Sequence, residues 1–252
     1  MNIFVTNSIT SKQYNEAMEL IEKCAKADGT RGISFLEQEL NAIEEFPCFY
    51  LMYDGSRLVS YLSVFIPDET QCEIYGGTLP EERGKGYFKR LLSEALLHIK
   101  EYGISRKLVV IEPGCKDMEE YLLKINSKHE DSDFLMSYDK RVEPVPQKLL
   151  KLTHEKRDNT EYYETNLEGA LIGSCKVEFT RTHAVIYDFM VEEEYRGKGY
   201  GTETLLLILK HLLKSDVDKI LLHVNGANKA AHVMYSHHGF IEEQQIDYWL
   251  LG

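Results

Sequence analysis

No stretch of this sequence approaches the run of about 20 apolar residues that a helix needs to cross a bilayer. The opening Met1-Asn2-Ile3-Phe4-Val5 lacks the basic start and long apolar stretch of a secretory leader. A cytoplasmic protein with no membrane partner is therefore expected. Basic residues are also scarce: the net charge is −12 and no long basic stripe offsets it, which argues against a nucleic-acid partner. The five cysteines (Cys24, Cys48, Cys72, Cys115 and Cys175) are scattered, odd in number and form no CxxC pair. Neither a disulfide framework nor a zinc site follows from that spacing, and reduced thiols fit a cytoplasm. The histidines, including His237-His238, show no metal-ligand pattern, so no metal is expected.

What is present is an ordinary globular composition. Apolar residues make up 43% of the 252 positions, enough for one large core or two smaller ones. The most informative feature is a string that occurs twice, Arg83-Gly84-Lys85-Gly86-Tyr87 and Arg196-Gly197-Lys198-Gly199-Tyr200. The register that lays Arg83 on Arg196 also lays Leu91-Leu92 on Thr204-Leu205. It lays Leu108-Val109-Val110-Ile111 on Leu221-Leu222-His223-Val224, and Leu135-Met136 on Tyr248-Trp249. A long repeat that recurs only twice indicates a duplicated domain rather than a solenoid. Two prolines in Arg141-Val142-Glu143-Pro144-Val145-Pro146 mark a linker. The expected domains are residues 1–142 and 148–252.

The N-terminal half reads strand, two helices, strands, helix, strand, helix, strand. Thr10 and Gln13 have capping-box spacing ahead of Tyr14, Ala17, Met18, Ile21 and Ala25. Ser34 and Glu37 repeat that signal before Leu36, Leu40 and Ile43, which predicts a second helix. Phe49–Met52 and Leu58–Ile66 read as strands joined at Asp54-Gly55. Cys72–Thr78 is the strand that leads into the first glycine turn. Phe88, Leu91, Leu92, Ala95 and Ile99 line one face of the helix after it. The C-terminal half keeps this plan without the two opening helices, because too few residues separate its first strands. Its pattern predicts a helix over 228–237 and a final short strand pair.

A glycine-rich turn between strand and helix lets backbone N–H groups approach a diphosphate, and the helix dipole adds to the attraction. Such a turn is sometimes only a turn; its duplication and the residues downstream argue for more. The GxxxxGK[ST] spacing of a nucleotide-binding phosphate loop is absent. So is the GxGxxG of a dinucleotide fold, since Gly201 comes one residue early and Lys89 stands in the other copy. Arg196, Gly199 and Gly201 instead fit [RQ]xxGx[GA]. Asn228, Ala231, Tyr235, Gly239 and Phe240 fit Asn-x-x-Ala-x-x-x-Tyr followed by Gly-Phe. In these motifs the chain resembles the GNAT superfamily of N-acetyltransferases, most fully in its C-terminal half. The tandem arrangement is similar to that of mycothiol synthases. The resemblance implies an α/β fold of two GNAT-like domains, each a mixed, largely antiparallel twisted sheet flanked by helices.

It also implies acetyl-CoA as co-substrate. Phe189, Met190 and Val191 would pair with the pantetheine arm. Arg196, Gly197, Lys198, Gly199, Tyr200, Gly201 and Thr202 would cradle the pyrophosphate, and Asn228 would contact the cofactor. Tyr235 would protonate the departing thiolate. An amine acceptor must lose a proton before attack, and Asp188 or His223 is placed to take it; each also has a purely structural reading. The N-terminal copy departs from the pattern. Cys115 stands for Asn228, Leu122 for Tyr235 and Asn126-Ser127 for Gly-Phe, with Tyr121 one place off. That half is expected to be degenerate, binding a coenzyme A without turning it over or walling the acceptor site. The expected function is transfer of an acetyl group to a primary amine of a small molecule or peptide. The alternative is a non-catalytic acyl-CoA-binding or regulatory protein. Acceptor identity, acyl length and oligomeric state are not written in the sequence.

Overall fold

The computed structural model describes every residue, Met1–Gly252. Its elements run β1 (Asn2–Thr6), α1 (Ser11–Asp28), β2 (Phe49–Asp54), β3 (Arg57–Asp68), β4 (Gln71–Thr78) and α2 (Tyr87–Glu101). They continue with β5 (Arg106–Ile111), α3 (Lys116–Lys124), β6 (Lys128–Tyr138), β7 (Lys151–Arg157), β8 (Thr160–Leu167) and β9 (Ala170–Phe179). The chain ends with β10 (His183–Val191), α4 (Tyr200–Leu212), β11 (Lys219–Asn225), α5 (Lys229–His237) and β12 (Phe240–Leu250). The mixed α/β architecture with mostly antiparallel strands is the expected one. No helix is long and apolar enough to cross a membrane.

Helix starts follow local chemistry. Thr10 caps α1 with its hydroxyl on the Gln13 N–H while Gln13 returns to the Thr10 backbone, and Gly29 closes the helix in the left-handed conformation. Ala17, Leu20, Ile21 and Ala25 form its buried stripe; Tyr14 lies outside it, exposed. The stripe of α2 is Phe88, Leu91, Leu92, Ala95 and Ile99, all buried. In α4 the apolar stripe is Leu205, Ile208, Leu209 and Leu212.

The second opening helix does not form; the segment holds only a single 3-10 turn, Gln38–Leu40. The Ala42 N–H is held by the Ile66 carbonyl of β3 at 2.8 Å, and the residues just before the segment are held as well. The buried Glu112 carboxylate accepts from the N–H groups of Arg31 (3.2 Å), Gly32 (2.7 Å) and Ile33 (3.2 Å). Glu37 accepts from the Leu36 N–H at 2.8 Å, and Asn41 Oδ1 from the Ile66 N–H at 2.6 Å. The bonds of Asn41 and Ala42 to Ile66 tie the segment to β3 and outweigh the propensity of a short stretch. The C-terminal half begins as expected with strands alone, β7 to β9. The predicted closing strand pair is one continuous strand, β12.

The compact units are not divided at the linker. One comprises Met1–Ser132 with Ile246–Gly252, and the other Asp133–Gln245. These compact units differ from the expected domains, 1–142 and 148–252, in where the strands after Ser132 and Gln245 belong. The reason lies in two strands that equivalent positions of the repeat supply. The end of β12 pairs with β5 (Asp247↔Ile111 to Leu250↔Leu108), and the end of β6 pairs with β11 (Asp133↔Asn225 to Ser137↔Leu221). Each half of the sequence therefore gives its last strand to the sheet of the other. In the first unit Ser132 Oγ also donates to Asp247 Oδ1 at 2.6 Å. The first unit orders its strands β1-β2-β3-β4-β5 followed by the end of β12; the second orders the end of β6 followed by β11-β10-β9-β8-β7.

In each unit one parallel pair carries the repeat's central strands. β4 lies parallel to β5 only over Gln71–Ile74, and β10 lies parallel to β11 only over His183–Ile186. Beyond Ile74 and Ile186 the strands part. Past the first split Gly76 permits close packing: a Cβ there would meet the Tyr61 carbonyl oxygen at 2.7 Å and the Phe88 ring at 2.9 Å.

Two measurements test these points. Gly76→Ala is expected to cost roughly 1–3 kcal/mol by overpacking, read as a lower thermal midpoint. Gly77→Ala, whose Cβ would sit at ordinary contact distances of 3.4–3.5 Å, is expected to cost under ~1 kcal/mol. A fragment of residues 148–252 lacks β6 and leaves the end of β12 without β5. It is expected to show no cooperative melt by circular dichroism, whereas residues 133–245 melt cooperatively.

Candidate active site

The two glycine turns have the same conformation. Gly84 and Gly86 have φ of 76° and 79°, and Gly197 and Gly199 have 72° and 82°. Gly86 and Gly199 are the N-caps of α2 and α4, so the first N–H groups of each helix lack partners within it. A Cβ at any of the four would meet nothing within 4 Å, and one at Gly201 would meet only ordinary contacts. Each turn thus offers open space over unpaired backbone donors, a cradle suited to a diphosphate.

The arginine that opens each turn has a structural task. Arg196 Nε donates to the Val191 carbonyl at 2.9 Å, and Arg83 Nε donates to the Thr78 carbonyl at 3.3 Å. Each bond ties the end of the central strand to the turn. Beyond this the copies differ. Arg83 is clamped by Asp28 through two bonds, at 2.6 and 2.8 Å, and by Asp117 at 3.3 Å. The Arg196 side chain is exposed.

In the second unit a bulge in β10 interrupts its ladder with β9 between Tyr187 and Met190. Asp188 sits there at φ 49°, an uncommon conformation for a residue with a side chain. Its carboxylate pairs with Lys176 at 2.8 Å. Phe189, Met190 and Val191 follow the bulge; Met190 is exposed and the other two are half-buried. Tyr235, on α5, is buried with its ring edge-on to Phe189 (6.1 Å between centroids) and near Phe240 (5.6 Å). Burial, with Cys175 nearby, pushes the Tyr235 phenol up to about 12, so it holds its proton at neutral pH. Asn228 caps α5, its Oδ1 accepting the Ala231 N–H at 3.2 Å. His223 is exposed on β11, opposite Leu135 of β6. Lys198 lies over the Tyr195 ring, and Tyr200 opens α4 with Gly201 and Thr202 behind it. The structure thus brings Tyr235 and Phe189 into contact beyond the split. It gives Asp188 and Asn228 partners of their own.

The first unit holds a cavity of about 510 Å³ at its split, in the half where the intact turn left room for a bound coenzyme A. Gly76, Gly77 and Thr78 of β4, the turn at Gly84 and Gly86, Cys115 and Tyr121 line it. Leu122, at the place of Tyr235, is fully buried in the core instead. Tyr121, one residue earlier, meets Phe88 edge-on at 5.9 Å; burial raises its pKa. Burial also pushes the Cys115 thiol up to about 11 and raises that of Cys24, so both remain thiols at neutral pH. The intact turn was the sequence signal for this cavity; the partial consensus downstream obscured it.

One further cluster was unforeseen. His154, Glu161 and His211 converge in the second unit, although the spacing of the histidines gave no ligand set.

Comparison with known proteins gives the family and the fold. The model of the acetyltransferase (GNAT) family matches residues 14–121 and again 126–240. An uncharacterized N-acetyltransferase, YycN, of Bacillus subtilis is 32% identical over 83 residues. That match spans 33% of this chain and 53% of the relative, about half its length. A mycothiol acetyltransferase of Thermobispora bispora is 24% identical across 95% of this chain and 96% of its own. The crystal structure of a GCN5-related N-acetyltransferase from Sphaerobacter thermophilus superposes with a TM-score of 0.80 at 13% identity. It covers 98% of this chain and 95% of that one, a likeness of fold. With two family segments covering most of its length, the chain belongs to the GNAT acetyltransferase family, in tandem form.

Proposed function

We infer that this protein transfers an acetyl group from acetyl-CoA to a primary amine of a small molecule or peptide, with the chemistry in the second unit. The observation that carries this reading is the pairing of two features there. A glycine cradle open over Gly197, Gly199 and Gly201 lies at one end of β10, and a buried, protonated phenol, Tyr235, rests on Phe189 past the bulge. Acetyl-CoA supplies the activated thioester. Backbone N–H groups from Gly197 to Thr202 hold its diphosphate, with the positive end of α4 behind them.

The bulge takes Asp188 and Phe189 out of regular pairing with β9, which leaves backbone donors able to bind a developing oxyanion. Tyr235 Oη holds a proton for a departing thiolate. His223, exposed on β11, takes the proton of the amine, since Asp188 is already paired with Lys176. Asp188 then serves the bulge rather than the proton. The cavity of the first unit suits a second molecule of the same ligand class, bound without turnover.

A thiol-release assay with a panel of primary amines tests the assignment. At least one amine is expected to release coenzyme A, with Tyr235→Phe lowering kcat by 10²-fold or more and Tyr121→Phe leaving it near wild type. Acetyl-CoA binding without release for any amine would overturn the catalytic reading in favour of a binding protein. A large loss in Tyr121→Phe alone would move the chemistry to the first unit.

A further inference from the structure

His154 on β7, Glu161 on β8 and His211 in the last turn of α4 present ligand atoms that all lie within 4.8 Å of one another. Glu161 Oε2 is 3.8 Å from His154 Nδ1 and 3.8 Å from His211 Nε2. Both distances are too long for a hydrogen bond. The two ring nitrogens therefore converge on one oxygen without bonding to it. That oxygen is oriented by Tyr163, whose hydroxyl donates to it. Tyr163 is 1% exposed, its ring stacked on His154 and edge-on to His211. A buried tyrosine thus fixes the carboxylate and packs against both imidazoles, as partners behind metal ligands do.

The spacing is close to what a small ion requires. Bonds of about 2.1 Å in a tetrahedron put neighbouring ligand atoms about 3.4 Å apart. Inward movement of at most about 0.7 Å by each of the two partly exposed histidines closes the difference. Next to the cluster a cavity of about 370 Å³, lined in part by Glu161 and His211, gives an ion a path in and room for a water as fourth ligand. Two imidazoles and one carboxylate suit a borderline transition metal rather than calcium or magnesium.

We propose that His154, Glu161 and His211 form a binding site for one divalent transition-metal ion of the zinc class. The ion would join the β7–β8 hairpin to the C-terminal end of α4. The glycine turn lies at the opposite end of that helix, about 20 Å away at 1.5 Å per residue. The site is therefore structural, separate from acetyl transfer, and independent of the reading of Tyr235.

Tag-free protein stripped with a chelator, dialysed and titrated with Zn²⁺ by calorimetry tests this. One equivalent is expected to bind with a Kd of micromolar or tighter, raising the thermal midpoint. His154→Ala, His211→Ala and the near-isosteric Glu161→Gln are each expected to weaken binding at least tenfold. His237→Ala, an exposed control, is expected to leave it unchanged. The tetrahedral visible spectrum of the Co²⁺ form should vanish in the same three variants, with metal-free melts reporting whether each variant is folded. Absence of saturable binding to the wild type, or wild-type affinity in both folded histidine variants, would overturn the proposal.

Discussion

Everything that matters in this fold follows from how soon a parallel strand pair stops. A parallel ladder satisfies its backbone groups strand to strand, and once it ends, each strand must find other partners. β4 and β5 part after Ile74 and Val109, β10 and β11 after Ile186 and Leu222. What lies past each split is then free to differ. β10 bulges at Asp188, whereas β4 continues through Gly76 and Gly77 into the wall of a cavity. The arginine of each turn limits how far the strand end can move, through one bond to the carbonyl of Thr78 or Val191.

Most of the local structure was legible in the sequence because it is set by neighbours along the chain. The Thr10–Gln13 box, the apolar stripe of α2 and the twin turns depend on spacings of a few residues. The second helix failed for a reason those spacings could not contain: Ile66, on β3, takes the Ala42 N–H on its carbonyl and gives its own N–H to Asn41 Oδ1. The exchange of strands was beyond such spacings as well. Two prolines correctly mark an irregular connection, yet the strands on either side of it are traded between sheets, and pairing partners are a long-range property.

The candidate site shows the same division. The motif residues of the second half occupy the turn, the bulged strand and the buried tyrosine position. The cap role of Asn228 and the Lys176 partner of Asp188 emerge only from the folded chain. The two turns, identical in sequence and in φ, separate through what holds their arginines. Asp28 and Asp117 immobilise Arg83 beside the cavity of the first unit, while Arg196 stays at the surface. Conformation is duplicated; environment is not.

The traded strands have a consequence for how the chain is made. Residues of β5, among them Val109 and Val110, have an open, apolar edge until Asp247–Leu250 are available to cover it. At 5–20 residues per second, synthesis of the intervening chain takes on the order of ten seconds. Through that interval the first unit waits on the ribosome with an unpaired strand edge, the kind of surface that invites aggregation or a chaperone. Its maturation is therefore timed by a segment translated well over a hundred residues after β5.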